Sequence, residues 1–178
     1  MTPTEASGDR PSLHSRAMPM LRCRFGATDY LLPLDRIVEI VRYVRPTPVP
    51  EVAPWIAGVM NLRGRIHPVI DLAIKLADPP TEVDEETCIV LVHGPARDAG
   101  APLGLISGRV TTIHDLKRGD LDPPRRLTGR LRAEFIEGSF RTAEGIALVL
   151  NLERVLSTDQ VLDEGGTTAT PASTAEGA

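Results

Sequence analysis

Four histidines (His14, His67, His93 and His114) and two cysteines (Cys23 and Cys88) are the side chains of this chain best suited to nucleophilic or metal chemistry, and their spacing assembles neither. No His-Glu-x-x-His places two imidazoles on one helix face, no cysteines stand at paired metal-ligand spacing, no glycine loop precedes a phosphate-binding lysine, and no Gly-x-Ser-x-Gly elbow is present. Each cysteine lies in an apolar run and reads as a buried reduced thiol. His67, in a strand beside Pro68, reads as a half-buried or surface histidine. The pattern gives catalysis little support and implies no cofactor or metal.

The more informative stretch is GVMNLRGRIHPVIDL, residues 58–72. Its two apolar arms, VMNL and RIHPVI, read as a hairpin. Gly64 suits a positive φ, and the cheapest geometry is a type I turn closed by a glycine bulge, with Arg63 right-handed. On that geometry Leu62 and Arg63 project from the tip. An apolar tip costs solubility unless something packs on it, which points to recognition. Upstream, Pro54 suits a first helical position, and Trp55 reads as the core anchor of that short turn.

The elements that must position this hairpin are short strands. At 178 residues the length fits one domain, with about 140 residues of core-forming sequence. A net charge of -4 and 3% aromatics argue against a dedicated nucleic-acid binder. The best stretch for a small nucleic-acid-binding barrel, the basic run from Lys117 to Arg132, reads more simply as a solvated linker, and TEVDEE (81–86) as a solvated acidic loop. No apolar window reaches membrane or signal-peptide length, which predicts a cytoplasmic protein. Residues 1–19 and 158–178 read as mostly disordered tails around a folded region at 20–157. Inside it, Val, Ile and Leu runs are cut by Gly, Pro and Asp, the signature of a mainly β fold. Leu21, Cys23 and Phe25 alternate with Arg22 and Arg24, which predicts one face inward and the arginines in water. Pro33 should confine YLLPL (30–34) to an edge or bulge. Helical spacing is brief, at 71–76 and 151–156.

An internal repeat emerges. A shift of about 80 places Gly58 on Gly138, Val69 on Val149, Ile70 on Leu150, Asp71 on Asn151, Leu72 on Leu152 and Leu76 on Leu156. A shift of about 72 places Leu31 on Leu103, Leu34 on Ile106 and Val38 on Val110. Two halves, about 20–80 and about 85–157, with sharing of strands between them left open, are each expected to carry four or five strands and a short helix capped by Asp71 or Asn151. Units this small should pack on each other and leave a cleft at their seam.

RIVEI (36–40), PWIAGVMNLRGRIHPVIDL (54–72), LGLISGRVTTI (103–113) and GIALVLNLERVL (145–156), in that order, resemble the CheW family of chemotaxis coupling proteins and the CheW-like domains of their partner kinases. The likeness spans roughly residues 20–157. It implies two SH3-like five-stranded β-barrel subdomains packed around one core, with short helices. It also implies a non-enzymatic adaptor joining methyl-accepting chemoreceptors to the histidine kinase CheA in a membrane-attached array, without inserting into the membrane, or serving a separate chemosensory pathway. By the same resemblance the partner-binding residues are Ile37, Glu39 and Ile40 on one strand, and Gly58, Val59, Asn61, Leu62, Arg63 and Gly64 on the hairpin. Pro68 and Asp71 match its exit. The groove between the barrels would take the receptor's cytoplasmic helical tip, and the barrel ends would meet the kinase's regulatory CheW-like domain. Apolar side chains would bury against the partner, while Arg63 and Glu39 fix register. Two departures stand out: Ala57 replaces a frequent basic residue and Gly108 a frequent aspartate.

Overall fold

The computed structural model describes residues 17–94, 101–123 and 133–157. The expected C-terminal tail, nearly all of the N-terminal one and much of the basic run lie outside the described residues. The elements in chain order are β1 (Met18–Phe25), β2 (Thr28–Pro33), β3 (Ile37–Arg42), β4 (Ile56–Leu62), β5 (Arg65–Ile70), α1 (Leu72–Lys75), β6 (Cys88–Val92), β7 (Leu103–Ser107), β8 (Arg109–Leu116), β9 (Ile136–Thr142), β10 (Gly145–Leu150) and α2 (Leu152–Ser157). The fold is mainly β. Its strands form two five-stranded sheets, ordered β8-β1-β2-β10-β9 and β3-β6-β7-β5-β4.

Each sheet takes strands from both halves of the repeat. The first joins β1 and β2 to β8–β10, and the second joins β3–β5 to β6 and β7, so the halves interlock by sharing strands. The chain crosses between sheets twice: at a 3₁₀ turn over Leu34–Arg36, and at the single residue Gly108. At the second crossing the Gly108 amide donates to the Arg24 carbonyl at 2.9 Å, and the buried Ser107 hydroxyl donates to the same carbonyl at 3.1 Å. The Ser-Gly pair is thereby pinned between the sheets.

Both faces of each sheet are buried over much of their area, which is why the strands read as near-continuous apolar runs. The main core lies between the sheets and contains Phe25, Tyr30, Leu32, Ile70, Val90, Leu105, Leu148 and Leu150, with α1 and α2 adding Leu72, Leu152 and Val155 and the residue after α1 adding Leu76. The alternate residues form two smaller cores. Met20, Leu31, Leu116, Ala147 and Val149 fill the first sheet's other face; Met60, Val69, Ile89, Leu91 and Ile106 fill the second's. Asp71 caps α1 by accepting from the Ala73 amide at 3.1 Å, and it also accepts from the amide and hydroxyl of Thr81. Asn151 caps α2 through the Arg154 amide at 2.9 Å. The repeated Asp/Asn therefore has a local cause.

Each sheet curls until its chain returns to the far edge. Beyond β3, Thr47 exchanges two backbone hydrogen bonds with Val59 of β4, at 2.8 and 2.9 Å; beyond β8, Asp122 exchanges two with Ser139 of β9, both 2.9 Å. The residue before each β-side partner is a glycine. A Cβ on Gly58, whose φ is +133°, would sit 2.1 Å from the Thr47 carbonyl oxygen, and one on Gly138 would sit 2.8 Å from that of Asp122. Proline follows both Thr47 and Asp122, removes the next donor and ends the pairing.

Four expectations are corrected. β1 starts at Met18, inside the presumed tail, because Met18–Leu21 pair with the end of β8. Arg22 is buried rather than in water, since its face of the sheet is the inner face of a curled sheet. Pro33 ends a central strand, past the residues that β10 pairs with, so no ladder bond is lost. In the repeat, the parallel pairs place Leu31 on Gly104 and Leu32 on Leu105, a shift of 73 and not 72. One residue matters, because it exchanges the two faces of the strand.

Gly58→Ala is expected to destabilise the fold by on the order of 3 kcal/mol, combining a clash with a positive-φ penalty. Gly138→Ala should lose less, about 1 to 2 kcal/mol, and urea unfolding midpoints of the two variants check the order.

Candidate protein-interaction site

The β4–β5 hairpin is closed by two residues, Arg63 and Gly64, between the paired Leu62 and Arg65. Their φ values are 52° and 80°. This is the primed two-residue geometry that matches strand twist, not the type I turn with a bulge that a right-handed Arg63 would give. A left-handed arginine costs about 1 to 2 kcal/mol. Two contacts offset it: the Gly64 amide donates to Asn61 Oδ1 at 2.9 Å, and the guanidinium is held from outside the hairpin. Leu62 does not project. It follows Met60 by two, so it shares its face and packs against the core of Met60, Ile89 and Leu91.

Arg63 stands out from the turn and reaches Glu39 on β3, with Nη1 donating to Oε2 at 3.0 Å and Nη2 to Oε1 at 2.6 Å. β3 and β4 are opposite edges of one sheet, so curling is what brings the two side chains together. The arginine side chain keeps 75% of its exposure and the glutamate 30%. Apolar side chains stand in solvent on the same strands: Val38 and Ile40 on β3, and Ile66 on β5, at 44%, 43% and 57% exposure. Ile37 is partly buried against the main core. Gly58 and Val59 belong to the closing bridge, and Ala57 packs on the inner core of its sheet.

A second charged cluster was not legible as such. Arg22 donates to Asp29, to Glu144 at the β9–β10 turn and to Thr142 Oγ1, while Arg24 donates to Asp29 at 2.8 Å. Burial opposes ionisation of Asp29, but the hydrogen bonds from Arg24 and Arg22 outweigh it and hold the carboxyl below its usual range. The Arg24–Asp29 pair follows from hairpin register; the link to Glu144 is long-range and has no local signal. Buried Arg36 similarly donates to Glu153 at 3.1 Å and to the Gly94 carbonyl at 2.7 Å. Beside it a cleft of about 580 Å³ is lined by Met18, Met20, Leu121, Asp35, Glu137 and Glu153, among others. Neither Arg63 nor Glu39 lines it.

The groups suited to chemistry are spent on packing. Burial pushes the Cys23 thiol far up, and raises Cys88 despite an opposing hydrogen bond with Ser107. His67 is buried, its Nδ1 3.0 Å from the Pro102 carbonyl oxygen, deeper than its expected half-exposure. His114 lies edge-on to Phe140, and His14 lies outside the described residues. Trp55 sits in a turn and packs on the main core, without the expected helical start. Among the described residues no cluster of three His, Cys, Asp or Glu could hold a metal, and no helix is long and apolar enough to cross a membrane.

Two interlocked five-stranded β units with an exposed, ion-paired hairpin define a β scaffold built around surface contacts. Residues 19–160 match the CheW-like domain, and the chain belongs to that family. It is 26% identical over 136 residues to the chemotaxis protein CheW of Klebsiella aerogenes, covering 76% of this chain and 80% of that protein. It is 25% identical over 155 residues to CheW of Helicobacter pylori, covering 86% and 90%. The crystal structure of the scaffolding protein TtCheW from Thermoanaerobacter tengcongensis superposes with a TM-score of 0.67 at 25% identity, over 78% of this chain and 92% of that one.

Asp29→Asn should lower stability at neutral pH. A carboxyl whose folded pKa is depressed contributes stability above its unfolded pKa and loses it as pH falls through the folded value. Parent and variant should therefore converge in acid, below the ordinary 3.8, in urea titrations at stepped pH.

Proposed function

We propose that this chain is a non-enzymatic cytoplasmic adaptor that couples methyl-accepting chemoreceptors to a CheA-type histidine kinase in a chemosensory array. The observation that carries this is the bidentate Arg63–Glu39 pair at the surface, with exposed Val38 and Ile40 flanking Glu39 in β3 and exposed Ile66 in β5. A planar guanidinium already fixed by one carboxylate presents its remaining donors in a set direction, which suits register-setting at an interface better than a free lysine would. Exposed β-branched side chains beside it supply the area a partner buries. The kinase's CheW-like domain is the partner assigned to this end of the fold, with Glu39, Ile40 and Arg63 in contact. The receptor's helical tip is assigned to the groove between the sheets, beside Ile37.

Each contact alone should be weak, near micromolar or about -8 kcal/mol, with assembly adding avidity. Arg63→Ala or Glu39→Ala is expected to cost about 1 to 3 kcal/mol of partner binding. Because an exposed pair contributes at most about 1 kcal/mol to folding, both variants should stay folded. A pull-down with purified kinase and receptor signalling tip reads this; capture of both variants at the parent's level would refute the assignment.

A further inference from the structure

RPTPVP, residues 45–50, lies outside the ten strands, between β3 and β4, and takes no part in the proposed adaptor contacts. Proline stands at every second position. Its ring fixes φ at about -65° in Pro46, Pro48 and Pro50. Arg45, Thr47 and Val49 each precede a proline, and the clash with its ring drives them from the helical region to the extended one. All six residues are thereby held extended before any partner arrives. Burial then separates a strand from a polyproline II helix. Pro46 is buried and Val49 half-buried, while Arg45, Thr47, Pro48 and Pro50 are exposed. The inward residues are three apart, the period of polyproline II, and not two apart as in a strand. The Thr47–Val59 bridge holds this rod from behind, and a Cβ on Gly58 would come within 3.1 Å of Pro48 Cα. A turn at Pro50 and Glu51, with Glu51 at φ 57°, ends it.

The rod offers two ridges to solvent, Arg45 with Pro48 and Thr47 with Pro50, the members of each ridge one turn or about 9 Å apart. A preformed polyproline II ridge loses little chain entropy on docking, and its natural complement is a groove lined by aromatic side chains. Charge adds a second requirement. Arg24, Arg36, Arg63 and Arg109 each meet a carboxylate of this chain. Arg45 is exposed and meets none among the described residues. We propose that residues 45–50 are a polyproline II ligand for a protein domain whose groove is lined by aromatic rings and edged by a carboxylate, with Thr47, Pro48 and Pro50 on the rings and Arg45 on the carboxylate. This docking goes beyond the adaptor contacts and needs neither Arg63 nor Glu39.

A purified peptide-binding SH3 domain with an acidic residue at the edge of its aromatic groove is the probe, titrated into the full chain and followed by amide NMR. The Arg45, Thr47 and Val49 amides, the rod's only N–H groups, should shift progressively. Arg45→Glu should weaken binding about tenfold, whereas Arg65→Glu, the same charge change at another exposed arginine, should leave it within about twofold. Neutralising the probe's edge carboxylate should weaken binding to the parent chain and cost the Arg45→Glu variant nothing further, the coupling that a direct contact requires. Rod amides unmoved at millimolar probe overturn the proposal. So does an equal loss from Arg45→Glu and Arg65→Glu, which would reduce the contact to general charge attraction.

Discussion

The structure depends on two places where backbone presses on a glycine. At Gly58 and at Gly138 a returning segment comes so close that a methyl group could not be interposed, and one residue further on the same segment exchanges a pair of hydrogen bonds with the edge strand. Without those bridges each sheet would be an open ribbon with one apolar face in water. With them each sheet encloses a small core of its own, while its opposite face joins the shared core. The bridge at Val59 also draws β3 toward the β4–β5 hairpin, so the Glu39–Arg63 pair is a consequence of closure rather than an independent device.

Interlocking adds a second constraint. Because each sheet takes strands from both halves, neither half can bury its apolar faces without the other. The crossings at Leu34–Arg36 and Gly108 hold the sheets in fixed relation, with Ser107 and Arg24 bonded across the second. A scaffold that must present the same surface to partners gains from this, since rigid placement lowers the ordering cost of binding.

The mainly β character, the strands at 21–25 and 30–34, both helix caps and the hairpin were legible from alternation, punctuation and the repeated Asp/Asn. Several details were not, each for a physical reason. Arg22 looks like a surface residue because its partners Asp29 and Glu144 come from a neighbouring strand and from the far end of the chain. The left-handed Arg63 is invisible to propensity, since strand twist and tertiary contacts set it. The repeat was found, but its register in β2 and β7 slipped by one because Gly104 offers no apolar side chain to align with Leu31. A repeat in sequence is compatible with two separate halves or with shared strands, so sharing stayed open in the sequence and only the ladder pairings show which strands share a sheet. The residues singled out for recognition divide by role in the structure. Glu39, Ile40 and Arg63 reach the surface, Asn61 and Gly64 build the turn, and Gly58 and Val59 belong to closure.

Closure is thus the step on which core, hairpin and surface pair rest, and native-state hydrogen exchange at the Thr47, Val59, Asp122 and Ser139 amides tests it most directly. The account predicts protection close to the global unfolding limit, since breaking either bridge uncovers a core. Exchange at the rate of exposed loop amides, with the strand interiors still protected, would contradict it.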